Sequence, residues 1–186
     1  MAFECVIEGG ARLTQGFGCT HLWIEPACGA CDHWHSGWDL AADQGREVYA
    51  SCDGVVVGIG DDPGYGANSV FIQRNQDGMV ELYGHLQDNV VSVLQTVSAG
   101  QVIGHVGSRG NSTGPHVHYS VRPPDDRQTE CRSVDPAPYL CSCSAIAAPP
   151  ARLRPAPPSG LAVLLLLGAG PVPGLSIYSP AGPGLR

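Results

Sequence analysis

The chain has 186 residues, 43% of them apolar and 15% charged, and holds 25 glycines and 16 prolines. So much Gly and Pro excludes a helical bundle and suits short strands joined by tight turns. Seventeen acids face ten bases, all of them arginine, for a net charge of −7; with no basic surface to meet a phosphate backbone, nucleic acid is excluded as a partner.

In chain order, the first ten residues, MAFECVIEGG, carry neither a basic stretch nor an apolar run, so no secretory signal is visible. From residue 1 to about 143 the text is strand-like. Short apolar runs such as Gly54-Val-Val-Val-Gly-Ile, Ser69-Val-Phe-Ile-Gln and Met79-Val-Glu-Leu-Tyr each close on Gly, Asn, Asp or Pro. Turn signals fall between them at Asp61-Asp-Pro-Gly-Tyr-Gly, Asn75-Gln-Asp-Gly, Ser98-Ala-Gly and Ser108-Arg-Gly-Asn. No run sustains a helical period. The expected fold class is all-β, mainly antiparallel sheet, in one domain over residues 1–143.

At residue 144 the composition changes. Residues 144–160 form a Pro/Ala-rich linker, and residues 161–186 an apolar, Gly/Pro-rich tail of unassigned role. Residues 1–144 carry seven arginines and all seventeen acids, a net −10, whereas 145–186 carry three arginines and no acid, a net +3. Leu161 to Gly170 is ten residues long, short of the roughly 20 that span a bilayer, so the tail is expected to touch a membrane at most and not to cross it.

Eight cysteines (Cys5, Cys19, Cys28, Cys31, Cys52, Cys131, Cys141 and Cys143) are too many for a reduced cytosolic enzyme of this size and favour disulfides in an oxidising location. Their pairing is not readable from sequence. A competing reading is a second metal site, because Cys19, Cys28 and Cys31 stand with His21 and His33 at finger-like spacing.

All seven histidines precede residue 119. In Gly114-Pro-His-Val-His-Tyr, a strand would put His116 and His118 on one face. One of the two could bind metal while the other stands beside it. His35-Ser-Gly-Trp-Asp39 adds an imidazole and a carboxylate four residues apart, with Gly37 permitting a close chain path. Two nitrogens and one oxygen make a three-ligand zinc site with an open fourth position. Leu82-Tyr-Gly-His85-Leu adds a histidine at a strand end, which alone carries little.

Taken together, His35-x-x-x-Asp39, Tyr83-Gly-His85-Leu86 and Ser112-Thr-Gly-Pro-His116-Val-His118-Tyr, in this order, resemble the M23 zinc metallopeptidases, the lysostaphin-type cell-wall endopeptidases. The resemblance runs from Gln15-Gly-Phe-Gly to Val121 and includes Val48-Tyr-Ala50, Gly54-Val-Val, Gly64-Tyr-Gly-Ala-Asn68-Ser-Val and Val97-Ser-Ala-Gly-Gln-Val-Ile-Gly104. It implies a groove across an antiparallel sheet, with Zn²⁺ held by His35, Asp39 and His118 and a catalytic pair in His85 and His116. It also implies hydrolysis of peptide bonds in the stems or cross-bridges of bacterial peptidoglycan. The expected location is then extracellular or facing the cell wall, whether periplasmic or carried by a phage particle. The alternative is a non-catalytic relative that binds wall peptides or activates another hydrolase; the complete histidine set argues against it.

One departure stands out. Between Gly18 and His35 the chain inserts CTHLWIEPACGACDHW, expected to form a wall of the groove pinned by a disulfide. On this reading His21 and His33 are loop histidines, His105 is structural in a Gly104-His-Val-Gly turn, and Trp34 and Trp38 pack on the sheet.

Overall fold

A computed structural model describes residues 3–125 and 130–140 of the chain. Cys141 and Cys143, the linker expected over 144–160 and the tail over 161–186 lie outside the described residues, as does the end of the domain expected at 143. Among the described residues there is no α-helix, and no helix long and apolar enough to cross a membrane.

The strands are β1 (Arg12–Gln15), β2 (Gly18–Cys19), β3 (Trp34–His35), β4 (Trp38–Ala41), β5 (Glu47–Tyr49), β6 (Gly54–Ile59), β7 (Val70–Arg74), β8 (Val80–Gly84), β9 (Asp88–Asn89), β10 (Thr96–Val97), β11 (Val102–His105) and β12 (His116–Arg122). Seven of them form one antiparallel sheet in the order β1-β4-β12-β8-β7-β6-β10, and a smaller sheet runs β5-β11-β9. The expected runs at Gly54, Ser69 and Met79 become β6, β7 and β8. The Asp61–Gly66 turn signal becomes a 3-10 turn at Pro63–Tyr65, started by the Asp62 carboxylate accepting from the Gly64 amide at 3.0 Å.

Alternation along the central strands separates two faces. On one face, Leu40, Ile72, Tyr83, Val117, Tyr119 and Val121 join Val48 of β5 and Ile103 of β11 in the main core, all fully buried. Within that core lies a polar cluster around Glu81. Its carboxylate accepts from the Ser51 hydroxyl (2.6 Å), the Tyr83 hydroxyl (2.6 Å) and the Tyr119 hydroxyl (2.9 Å), and pairs with Arg74 at 3.3 Å. A buried carboxylate needs this many partners to offset the loss of water.

The opposite face of the same strands carries the chemistry. Antiparallel register sets His118 of β12 directly opposite Asp39 of β4 on one side and opposite Gly84 of β8 on the other. His116, two residues from His118, shares its face, and His85 is the residue after Gly84. Tyr65, Phe71, Val80 and Leu82 form a second apolar cluster beneath them.

The insert is an ordered loop. Cys19 is bonded to Cys31, and Cys28 to Cys131 of a second 3-10 turn, Glu130–Arg132. Cys5 and Cys52 are disulfide-bonded as well. With these thiols oxidised, the reading of Cys19, Cys28 and Cys31 as a second metal site is overturned: a disulfide sulfur has no thiolate to offer. His33 instead donates from Nδ1 to the Glu25 carbonyl at 2.9 Å, and His21 is exposed.

Candidate metal centre and cleft

His35, Asp39 and His118 bring one donor atom each into a tight triangle. His35 Nε2 lies 3.2 Å from Asp39 Oδ1 and 3.1 Å from His118 Nδ1, and His118 Nδ1 lies 3.0 Å from Asp39 Oδ1. The register of β12 on β4 accounts for the Asp39–His118 edge. The third corner depends on the Ser36-Gly37 link, which brings β3 back over β12. A side chain at Gly37 would stand 2.8 Å from His118 Nε2 and 2.9 Å from Ser120 Cβ, so only glycine passes there.

Hydrogen bonds on the far side of each ring decide what it presents to the triangle. His35 Nδ1 donates to the Gly16 carbonyl at 2.8 Å, which leaves Nε2 with a lone pair. His118 Nε2 meets the Ser36 hydroxyl at 3.3 Å. With His118 Nε2–H donating to Ser36, Nδ1 also presents a lone pair, and three such atoms facing one another repel unless a cation or a proton sits among them. Tetrahedral bonds of about 2.0–2.1 Å to zinc would hold neighbouring donors about 3.3 Å apart, close to the spacing here. A donor set of two imidazoles and one carboxylate, with each ring anchored from behind, therefore fits Zn²⁺.

The electrostatics agree with a site built to hold positive charge. Burial works against an ionised Asp39, yet the imidazoles of His118 and His35, each with a ring nitrogen within 3.2 Å of its carboxylate, outweigh it and hold the carboxyl well below the usual carboxylate range. Burial also opposes charge on His35, but the neighbouring Asp39 carboxylate, which favours the protonated ring, prevails and raises its pKa. Burial dominates at His118 and His85, pushing them down to about 3 and about 4.

Beside the triangle stand His85 and His116, their rings 4.6 Å apart. His85 adopts φ of 63°, in the left-handed region that favours glycine, and is held there from both sides. Its amide donates to the Tyr65 carbonyl at 2.8 Å and its Nδ1 to the Arg109 carbonyl at 2.6 Å. His116 Nδ1 donates to the Gly114 carbonyl at 2.8 Å, and its Nε2 lies 3.5 Å from Asp39 Oδ1. Each ring thus spends one nitrogen on the backbone and turns the other toward the site.

These five residues share a cleft of about 270 Å³. Its lining includes Leu22, Trp23, Ile24 and Glu25 from the insert, Asn111, Ser112 and Thr113 from the loop before β12, and Tyr65 and Glu130. The insert thus forms part of the wall, as its position suggested. Trp23 is 81% exposed, at the tip of a turn closed by the Glu25 amide donating to the Leu22 carbonyl at 3.1 Å. Trp34 and Trp38 pack edge-on against Phe17 and Phe3 and are not part of the wall. His105 lies on β11 rather than in a turn, bonded to Asp88 at 2.7 Å. Sequence reasoning did not single out Trp23, Ser36 or Glu130; an apolar Leu-Trp-Ile run inside a cysteine-pinned loop was the available signal for the first.

The family model for peptidase family M23 matches residues 33–136. DD-carboxypeptidase/endopeptidase Mpg of Neisseria meningitidis serogroup B is 51% identical over 89 residues, covering 47% of this chain and 20% of that protein. Peptidoglycan DD-endopeptidase ShyA of Vibrio cholerae is 45% identical over 87 residues, again 47% of this chain and 20% of the relative. The chain thus spans about a fifth of the length of these relatives. The catalytic domain of the antimicrobial peptidase lysostaphin from Staphylococcus simulans superposes with a TM-score of 0.61 at 30% identity, over 70% of this chain and 92% of that domain. The antiparallel groove architecture is therefore that of the lysostaphin-type catalytic domains. With more than half of its length matched by a family of zinc metallopeptidases, the chain belongs to peptidase family M23.

Proposed function

We propose that this domain is a zinc-dependent endopeptidase that hydrolyses peptide bonds in the stems or cross-bridges of bacterial peptidoglycan. The observation that supports this most is the convergence of His35, Asp39 and His118 donors within 3.0–3.2 Å of one another, beside two further imidazoles in an open cleft. The peptidoglycan substrate follows from the relatives' names.

On this reading His35 Nε2, Asp39 Oδ1 and His118 Nδ1 hold Zn²⁺. When bound there, the ion supplies Lewis acidity, polarising a carbonyl and lowering the pKa of a water molecule to about 7. The remaining work belongs to side chains. His85 and His116 each turn an unprotonated Nε2 toward the cleft, because their Nδ1 protons are committed to the Arg109 and Gly114 carbonyls. One imidazole can take the proton of the attacking water; protonated, it can then stabilise the oxyanion or donate to the departing amine. Leu22, Trp23 and Ile24 give the peptide an apolar wall, while Asn111, Ser112 and Thr113 offer amide and hydroxyl groups to its backbone.

The oxidised cysteines favour work outside the reducing cytosol, in the periplasm, at the cell surface or on a phage particle. The activity resides in residues 1–143, with 144–160 a linker to the tail.

The test is digestion of purified peptidoglycan by the full chain, with newly released amino groups counted in the presence and absence of a chelator. The expected result is release of amines that stops with the chelator and resumes on adding zinc. No release from any wall type, with zinc present, overturns the reading.

A further inference from the structure

Among the described residues no backbone carbonyl fixes the ring proton of His118, whereas Gly16, Arg109 and Gly114 do so for His35, His85 and His116. Two carboxylates compete for the single proton of its neutral imidazole. Asp39 Oδ1 lies 3.0 Å from Nδ1 and would draw the proton to the side where a metal belongs. At the opposite nitrogen a buried chain begins: His118 Nε2 meets Ser36 Oγ at 3.3 Å, Ser36 Oγ meets Tyr65 Oη at 2.9 Å, and Tyr65 Oη donates to Glu130 Oε1 at 2.9 Å.

The direction of this chain follows from its last member. A carboxylate only accepts, so the Tyr65 proton points at Glu130. The Tyr65 oxygen is then an acceptor for Ser36, whose oxygen is in turn an acceptor for His118 Nε2–H. Ser36, Tyr65 and His118 are 1%, 7% and 3% exposed, so water does not readily supply a substitute partner. Glu130 is itself held in place: Cys131 is bonded to Cys28 of the insert, and the Ser133 amide and hydroxyl both donate to the Glu130 carbonyl, at 3.0 and 2.6 Å.

We propose that Glu130 is a positioning residue that, acting through Tyr65 and Ser36, keeps the proton of His118 on Nε2 and so reserves Nδ1 for metal. The Cys28–Cys131 disulfide holds it there. The proposal rests on the reading of His118 as a zinc ligand, and goes beyond it by assigning the source of that ligand's readiness.

The test uses the full chain, with two readouts. Nitrogen-15 NMR of the metal-free protein reports which nitrogen of His118 is protonated, and competition with a chromophoric chelator reports zinc affinity. In the wild type Nε2 carries the proton. In Glu130→Ala and Tyr65→Phe it shifts toward Nδ1, and zinc affinity falls by about 10- to 100-fold, the usual loss for a partner behind a ligand. Glu130→Gln, which keeps a carbonyl acceptor, stays nearer the wild type on both readouts, and the Cys28→Ser/Cys131→Ser double variant follows Glu130→Ala. Should Glu130→Ala fold poorly, Tyr65→Phe keeps the test intact. A wild-type His118 protonated on Nδ1, or wild-type zinc affinity in both Glu130→Ala and Tyr65→Phe, overturns the proposal. A wild-type chain that binds no zinc sinks the ligand reading instead, and the NMR result still decides the relay.

Discussion

Asp39 and His118 face each other because their strands pair in register, and His35 reaches them because Gly37 leaves room for a sharp return. The chemistry of the site is thus concentrated in a few atoms whose loss has separable effects. Asp39→Ala or His118→Ala should abolish zinc binding and activity together, since two remaining donors hold the ion poorly; elemental analysis alongside peptidoglycan digestion checks this. His116→Ala should keep its zinc and lose about 10²- to 10⁴-fold in turnover, the usual worth of a positioned proton-transfer group. Near-normal turnover in that variant would remove His116 from catalysis while leaving the metal set intact. Trp23→Ala should raise KM with little change in kcat, because an exposed wall residue binds substrate and transition state alike. The pairs His35/Asp39 and His116/His118 were legible from short motifs, because H-x-x-x-D and H-x-H encode geometry within one or two strands; His85 joined them only through the family resemblance. Ser36, Tyr65 and Glu130 were not legible. Their contacts with one another and with His118 bridge 29, 65 and 82 residues of sequence, and no local pattern carries such pairings.

At the scale of strands, β6, β7 and β8 could be read from alternation and turn residues because one face of each is buried in the main core. β2, β9 and β10 are two residues each and carry no such pattern. Nor did alternation announce Glu81, a charged residue in the middle of β8 that faces inward. It is tolerated because Ser51, Arg74, Tyr83 and Tyr119 satisfy it, and that arrangement has a consequence at high pH. Burial, and then the Glu81 charge, push the Tyr83 phenol well above its ordinary range near 10. Above that range the unfolded chain releases the proton while the folded chain keeps it. Stability is therefore fully present below about pH 10 and falls as pH rises further. A melting-temperature series from pH 8 to 11 should show this decline. Tyr83→Phe should cost about 1–3 kcal/mol at pH 8, through the lost bonds to Glu81 and the Ser51 amide, and should make the alkaline decline shallower. A decline of unchanged steepness would place its origin elsewhere.

For the molecule as a whole, the cysteine count spoke for an oxidising location but not for a pairing. Cys28 and Cys131 are 103 residues apart, and only the fold brings the insert beside the second 3-10 turn. Each such bridge contributes about 2–4 kcal/mol, so a reductant should lower the melting temperature of the zinc-free chain by many degrees, and an unchanged melting temperature would mean that the bridges do not form. Removing residues 145–186, whose composition breaks from that of the domain, should leave both zinc binding and peptidoglycan digestion intact. The central claim is a single zinc centre that cleaves wall peptides. The most direct measurement is zinc content by elemental analysis of protein purified without added metal, paired with digestion of the same sample's peptidoglycan substrate. One zinc per chain together with chelator-sensitive cleavage is the result expected; a chain without zinc, or one loaded with zinc that cleaves no wall peptide, would contradict it.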